Sequence, residues 1–201
     1  LRVEHHQVGG EAGSDAAPPA ESQPAGGKCS HLPDRLRQRD QLAVADVFGQ
    51  EPGVDIKVPW ELARMQHLPL LAMASEYADQ TRMSAYRREC LDQMLDFISA
   101  NPPGYGVNWI CTMDVAIRAA NMVMVCWLLE ASGYDIDRSI SAVITTSLLA
   151  HGRHIMENLE WSPVIRANHY LANICGLAFL AAALEPNEET KTWWNFAKRQ
   201  F

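Results

Sequence analysis

Asn168, His169 and Tyr170 stand side by side at the mouth of an apolar run, 171–184. An amide, an imidazole and a phenol at one helix start can do two different jobs. The plain one is capping, in which Asn168 accepts a backbone N–H and the other two are ordinary first-turn residues. The chemical one is stabilisation of negative charge: the Asn168 amide and His169 donate to an anionic or polarised group, and the positive helix end adds to them.

Other residues could join that chemistry. Arg64 and Arg118 each interrupt an otherwise apolar helical pattern. Glu61 precedes Arg64 by three positions and Asp114 precedes Arg118 by four, so intrahelical pairing is the simplest account. Arg118 fits it less well, because a guanidinium buried on an apolar helix needs a carboxylate or an anionic ligand. The loop "NPPGYGVNW" sets Tyr105, Asn108 and Trp109 at a Gly-rich bend, where an aromatic face suits a sugar ring. Trp109 is expected in the core. In "HGRHIMENLE", His151, His154 and Glu157 imitate a metal cluster, but His151 continues an apolar stripe and reads as a satisfied core histidine.

The elements that must position these residues are helical. Helices are expected over 60–77, with Pro69 kinking the first, and over 81–100, 109–131, 136–158, 164–184 and 188–201. Their apolar residues recur at three- and four-residue steps; no strand reads convincingly. A shorter helix is expected over 35–48. Residues 1–30, rich in Gly, Ala, Pro, Ser and Glu, read as disordered. The chain therefore divides into a disordered or diverged lead, 1–50, and an all-α domain of antiparallel hairpins, 51–201. The last helix carries Trp193, Trp194 and Phe196 with nothing after it to cover them, so the chain reads as a piece of a larger architecture.

Composition narrows the function classes. The 201 residues are 48% hydrophobic with a net charge of −7 and no long basic run, which argues against a nucleic-acid groove. Neither of the longest apolar stretches, 115–129 and 171–184, reaches the ~20 residues of a membrane span. The N-terminal residues lack the apolar core of a signal peptide. The five cysteines have no CxxC spacing, and four lie in apolar helical patterns; neither zinc nor a disulfide framework is indicated, and no cofactor is expected.

Three stretches, taken together, go further: "DIKVPWELARMQHLPLLA", "NPPGYGVNWICTMDVAIRAAN" and "HGRHIMENLEWSPVIRANHYLANICGLAFLAAAL". Their order and spacing resemble the N-terminal helical domain of heparinase II/III-like polysaccharide lyases, a family that includes alginate lyases. The likeness covers about residues 53–201. It implies a partial (α/α) toroid, normally followed by a β-sandwich domain that this chain lacks, and a periplasmic or secreted location. It also implies β-elimination of an acidic, uronate-containing polysaccharide. By position, Asn168 matches the amide that neutralises the uronate carboxylate and His169 its catalytic neighbour. Arg64, Tyr105, Asn108 and Tyr170 would line the substrate groove. The proton-donating tyrosine of the family lies well downstream of the Asn-His pair, so the missing C-terminal part is an implied partner and the chain alone is expected to be inactive. The alternative is a non-catalytic helical module that binds an acidic glycan or a partner protein. An inverting glycosidase would need two carboxylates facing a cleft, and Glu61, Asp114 and Glu160 offer no such pair in the sequence.

Overall fold

A computed structural model describes residues 55–161 and 168–201; the lead expected over 1–50, with its helix over 35–48, lies outside them. Seven α-helices are described: α1 (Lys57–Ala63), α2 (His67–Ser75), α3 (Gln80–Ala100), α4 (Thr112–Ala131), α5 (Arg138–Glu157), α6 (Asn168–Ala183) and α7 (Glu188–Gln200), with a 3₁₀ turn at Val107–Trp109. No strand occurs among the described residues, so the domain is all-α.

Local chemistry sets most boundaries. The first expected helix is two helices, and the break falls at Met65 rather than at Pro69. Proline has no N–H and its ring collides with the carbonyl four residues back. For Pro69 that residue is Met65, which turns out of the helix at φ 56°. Pro69 then sits in the first turn of α2, where proline is tolerated. Asp79 caps α3 through the N–H groups of Thr81 and Arg82, and Asp137 caps α5 through that of Ser139. Helix α4 closes on Gly133 at φ 75°, with Gly133 N–H donating to the Glu130 carbonyl and Tyr134 N–H to that of Leu129. A capping box of Asn187 and Thr190 opens α7.

Helix α4 is the hub. It packs most extensively on α6 and also meets α2 and α5, while α7 lies along α6. Gly176 permits the closest approach, since a Cβ there would stand 2.8 Å from the Ala116 Cβ. At 20 residues and a mean hydropathy of 1.4, α4 is long and apolar enough to cross a membrane, which corrects the shorter estimate from the sequence. Its Val115, Ala119, Met122, Val123 and Cys126 side chains are buried against the neighbouring helices, the position of a core helix.

The tryptophans of α7 also depart from expectation. Trp193 is buried, its indole lying over Gly152 of α5, where the missing side chain makes room for it. Phe196 packs against the same core. Trp194 remains exposed. The ring that should have been uncovered is thus covered from within the domain.

Candidate active site

A polar core surrounds Arg118, which is fully buried. It does not pair with Asp114 as the four-residue spacing suggests. Its Nε donates to His151 Nε2 at 2.9 Å and its Nη2 to the Asn108 carbonyl at 3.1 Å. The guanidinium also lies over the rings of Phe97 and Trp109. Burial pulls the Arg118 pKa down to about 9, which still leaves it charged at neutral pH. His151 is the buried core histidine its stripe implied. His154 contributes an edge contact to Trp109 and joins no metal cluster with His151 and Glu157.

The same core fixes the Gly-rich loop. Gly104 and Gly106 take φ values of 80° and 78°, open to glycine at little cost. The Asn108 amide donates to Asn101 Oδ1 at 2.8 Å, and Trp109 is buried with its indole N–H on the Asn101 carbonyl. Asn108 is therefore committed to holding the loop. Tyr105 is half-buried in it.

Asp114 bonds instead to Arg64 Nε, and Arg64 also meets Glu61 at 2.6 Å. Asp114 neighbours Cys111, whose Sγ donates to Glu160 Oε1 at 3.8 Å; Glu160 Oε1 in turn lies 3.0 Å from His169 Nδ1. A continuous polar chain thus runs from Glu61 and Arg64 through Asp114, Cys111 and Glu160 to His169.

Glu160 is the organising residue. It belongs to the segment between α5 and α6, and its carboxylate sits on the N-terminus of α4. There Oε2 accepts the Met113 N–H at 2.7 Å and the Asn173 amide at 3.4 Å. A helix N-terminus offers free N–H groups and a positive dipole end, so a carboxylate is held well there. Asn173, fully buried, also accepts the Glu160 backbone N–H at 2.9 Å. With Oε2 fixed, Oε1 is left for His169 and Cys111. The Cys111 thiol is pushed up to about 12 by burial and then by the negative charge of Asp114 and Glu160, so it is a proton donor and not a nucleophile.

His169 is the second residue of α6, with its side chain 43% exposed. If Glu160 accepts the Nδ1 proton, Nε2 keeps a lone pair and can act as a base. Asn168 is the first described residue of α6. It is exposed, with its amide 3.9 Å from the Met113 sulfur. Tyr170 lies elsewhere: it is buried beside Ile174 and Ala197, and its hydroxyl donates to Gln200 of α7 at 2.9 Å.

Of the residues singled out in sequence, Asn168 and His169 lie side by side, and the polar chain links Arg64 to His169. The fold ties Asn108 into the loop, leaves Tyr105 in it, and turns the Tyr170 side chain of α6 against α7. Sequence reasoning missed Cys111 and Asn173, and weighed Glu160 only as a glycosidase carboxylate. Only Asn173 carried a signal, as a polar residue one turn beyond His169 inside an apolar helix. A groove of about 380 Å³ between the end of α3 and α5, lined by Asn101, Pro103, Val143, Thr146 and Ser147, shares none of the His169 residues. No family model, curated protein or solved structure matches the chain.

Proposed function

We propose that the chain is the helical part of a polysaccharide lyase that cleaves a uronate polymer by β-elimination, its hairpins forming part of an (α/α) toroid. The observation that carries the reading is the Glu160–His169 pair at 3.0 Å, with the exposed Asn168 adjacent to it. The C5 proton of a uronate is poorly acidic until its carboxylate is neutralised. The Asn168 amide stabilises the enolate-like charge that develops. His169 Nε2 removes the C5 proton, and Glu160 supports the imidazolium that results. The electron pair of the broken C–H bond forms the C4–C5 double bond, and the C4–O4 bond breaks.

Protonation of the departing O4 is assigned, by the family resemblance, to a tyrosine outside this chain. Arg64, charged and set at the far end of the polar chain, and Tyr105 on its loop belong to the groove walls in this reading.

The test uses the ultraviolet absorbance of the unsaturated product with alginate, heparan sulfate and hyaluronan, for the parent polypeptide and for this chain. The parent should generate absorbance on one polymer and lose it with Asn168→Ala. Retention of a polymer without any rise in absorbance would replace the lyase by the glycan-binding module.

A further inference from the structure

We infer that Cys111, Glu160 and His169 form a binding site for a thiophilic divalent cation, with Zn²⁺ the best match. One sulfur, one carboxylate oxygen and one imidazole nitrogen, from three separate elements, lie within 4.8 Å of one another. Donors on a tetrahedral zinc, with bonds of about 2.0–2.3 Å, stand about 3.3–3.6 Å apart. The two printed edges are 3.0 Å for nitrogen to oxygen and 3.8 Å for sulfur to oxygen. Closing the set around an ion thus asks for movements of about 1 Å or less.

The surroundings are those of a ligand set with a supporting layer. Glu160 Oε2 is occupied by the Met113 N–H and the Asn173 amide, which orient Oε1 towards the other two donors. Such support is what fixes a ligating carboxylate. Cys111 is buried at its place just before α4 and His169 is half-exposed, so a water from solvent can complete the coordination of an ion held by the three donors. Sulfur and imidazole together select zinc over magnesium or calcium.

Binding displaces the Cys111 thiol proton to solvent and shifts the His169 ring proton from Nδ1, the metal-facing nitrogen, to Nε2. A protonated Nε2 cannot act as a base. Zinc at this site is therefore an inhibitor of the elimination; this consequence rests on the lyase reading, whereas the binding does not.

Co²⁺ in place of Zn²⁺ gives a readout that needs no substrate, because a thiolate ligand produces an ultraviolet charge-transfer band. Titration of the chain should give that band at one Co²⁺ per chain, and Zn²⁺ should abolish it by displacement. Cys111→Ser and His169→Ala should each remove it. Serine is a good helix-capping residue and His169 is half-exposed, so both variants should keep the helical circular dichroism of the parent sequence. Co²⁺ binding without the band, or a band that survives Cys111→Ser, would overturn the site. In the parent polypeptide, saturating Zn²⁺ should suppress turnover and a chelator restore it, with Cys111→Ser insensitive. Turnover unchanged by bound Zn²⁺ would overturn the inhibition and leave the lyase reading intact. A band without any lyase activity would leave the metal site intact and overturn the lyase reading, and the inhibition with it.

Discussion

Arg118 Nε donates to His151 Nε2 at 2.9 Å, and that bond fixes the protonation of the imidazole. An acceptor Nε2 has no proton, so the ring is neutral and its proton is on Nδ1. From there it donates to the Ser147 carbonyl at 2.7 Å. The buried cation thus has no carboxylate in direct contact; a neutral histidine, two carbonyls and two aromatic faces surround it. The cost of burying it is offset by joining α1, the Gly-rich loop, α4 and α5 at one point.

That arrangement makes the fold acid-sensitive. Burial, reinforced by the Arg118 charge, holds the His151 pKa well below its usual value, and burial lowers that of His154 as well. A depressed folded-state pKa means that the unfolded chain takes up protons that the folded chain refuses. Stability is full above the unfolded value of about 6.5 and declines as pH falls from there towards the folded values, by up to ~1.4 kcal/mol per pH unit for each histidine. Urea unfolding at about pH 7.5 and 5.5 should show the midpoint falling at the lower pH. An unchanged midpoint would contradict the neutral His151.

Gly152 is the second pressure point. A Cβ there would stand 2.3 and 2.4 Å from two ring carbons of Trp193, which is itself buried. Gly152→Ala should therefore destabilise the domain by about 1–3 kcal/mol, despite alanine's better helix propensity. Trp193→Phe should recover part of the loss, because the smaller ring vacates the space. A stable Gly152→Ala protein whose tryptophan fluorescence is unaltered would show that the indole does not rest on Gly152.

The helices were legible because spacing and caps are local. Asp79, Asp137, Asn187 and Gly133 all act on residues within a few positions of themselves. The α1–α2 break was displaced because the effect of Pro69 falls four residues upstream, on Met65. Trp193 was misjudged because its cover is a glycine forty-one positions earlier, and an absent side chain leaves no apolar pattern to read. Asn168 and His169 could be singled out because they are adjacent. Their supporting residues could not: Glu160 lies in an irregular segment, and Cys111 imitates an ordinary apolar position.

Asn168 separates capping from chemistry. On the lyase reading, Asn168→Ala should lower turnover by about 10²–10³, the usual effect of losing one charge-stabilising donor. Its effect on stability should be small, because Asn168 is exposed. Asn168→Asp keeps the shape but sets a negative charge against the uronate carboxylate, and should be no better than alanine. Near-normal activity in the aspartate variant would remove Asn168 from the catalytic site.

Glu160→Gln is the sharpest test of how His169 is prepared. The Oε2 position receives two donors, the Met113 N–H and the Asn173 amide, so a glutamine must place its carbonyl oxygen there. Its NH₂ group then faces His169 Nδ1 and donates to it. Nδ1 becomes the acceptor, and the ring proton moves to Nε2, where the base should be. Inverting the tautomer in this way, with geometry retained, costs a histidine base on the order of 10⁴ in turnover in the best-studied catalytic triad. A large fall in kcat of that kind is expected in the parent polypeptide, with KM little changed, since Asn168 and the groove are untouched. The nitrogen NMR shifts of the His169 ring should report the proton's move from Nδ1 to Nε2 in this chain alone, with no substrate present. Should the ring invert while kcat holds, His169 is not the base; should the ring keep its tautomer, the two donors on Oε2 do not control it.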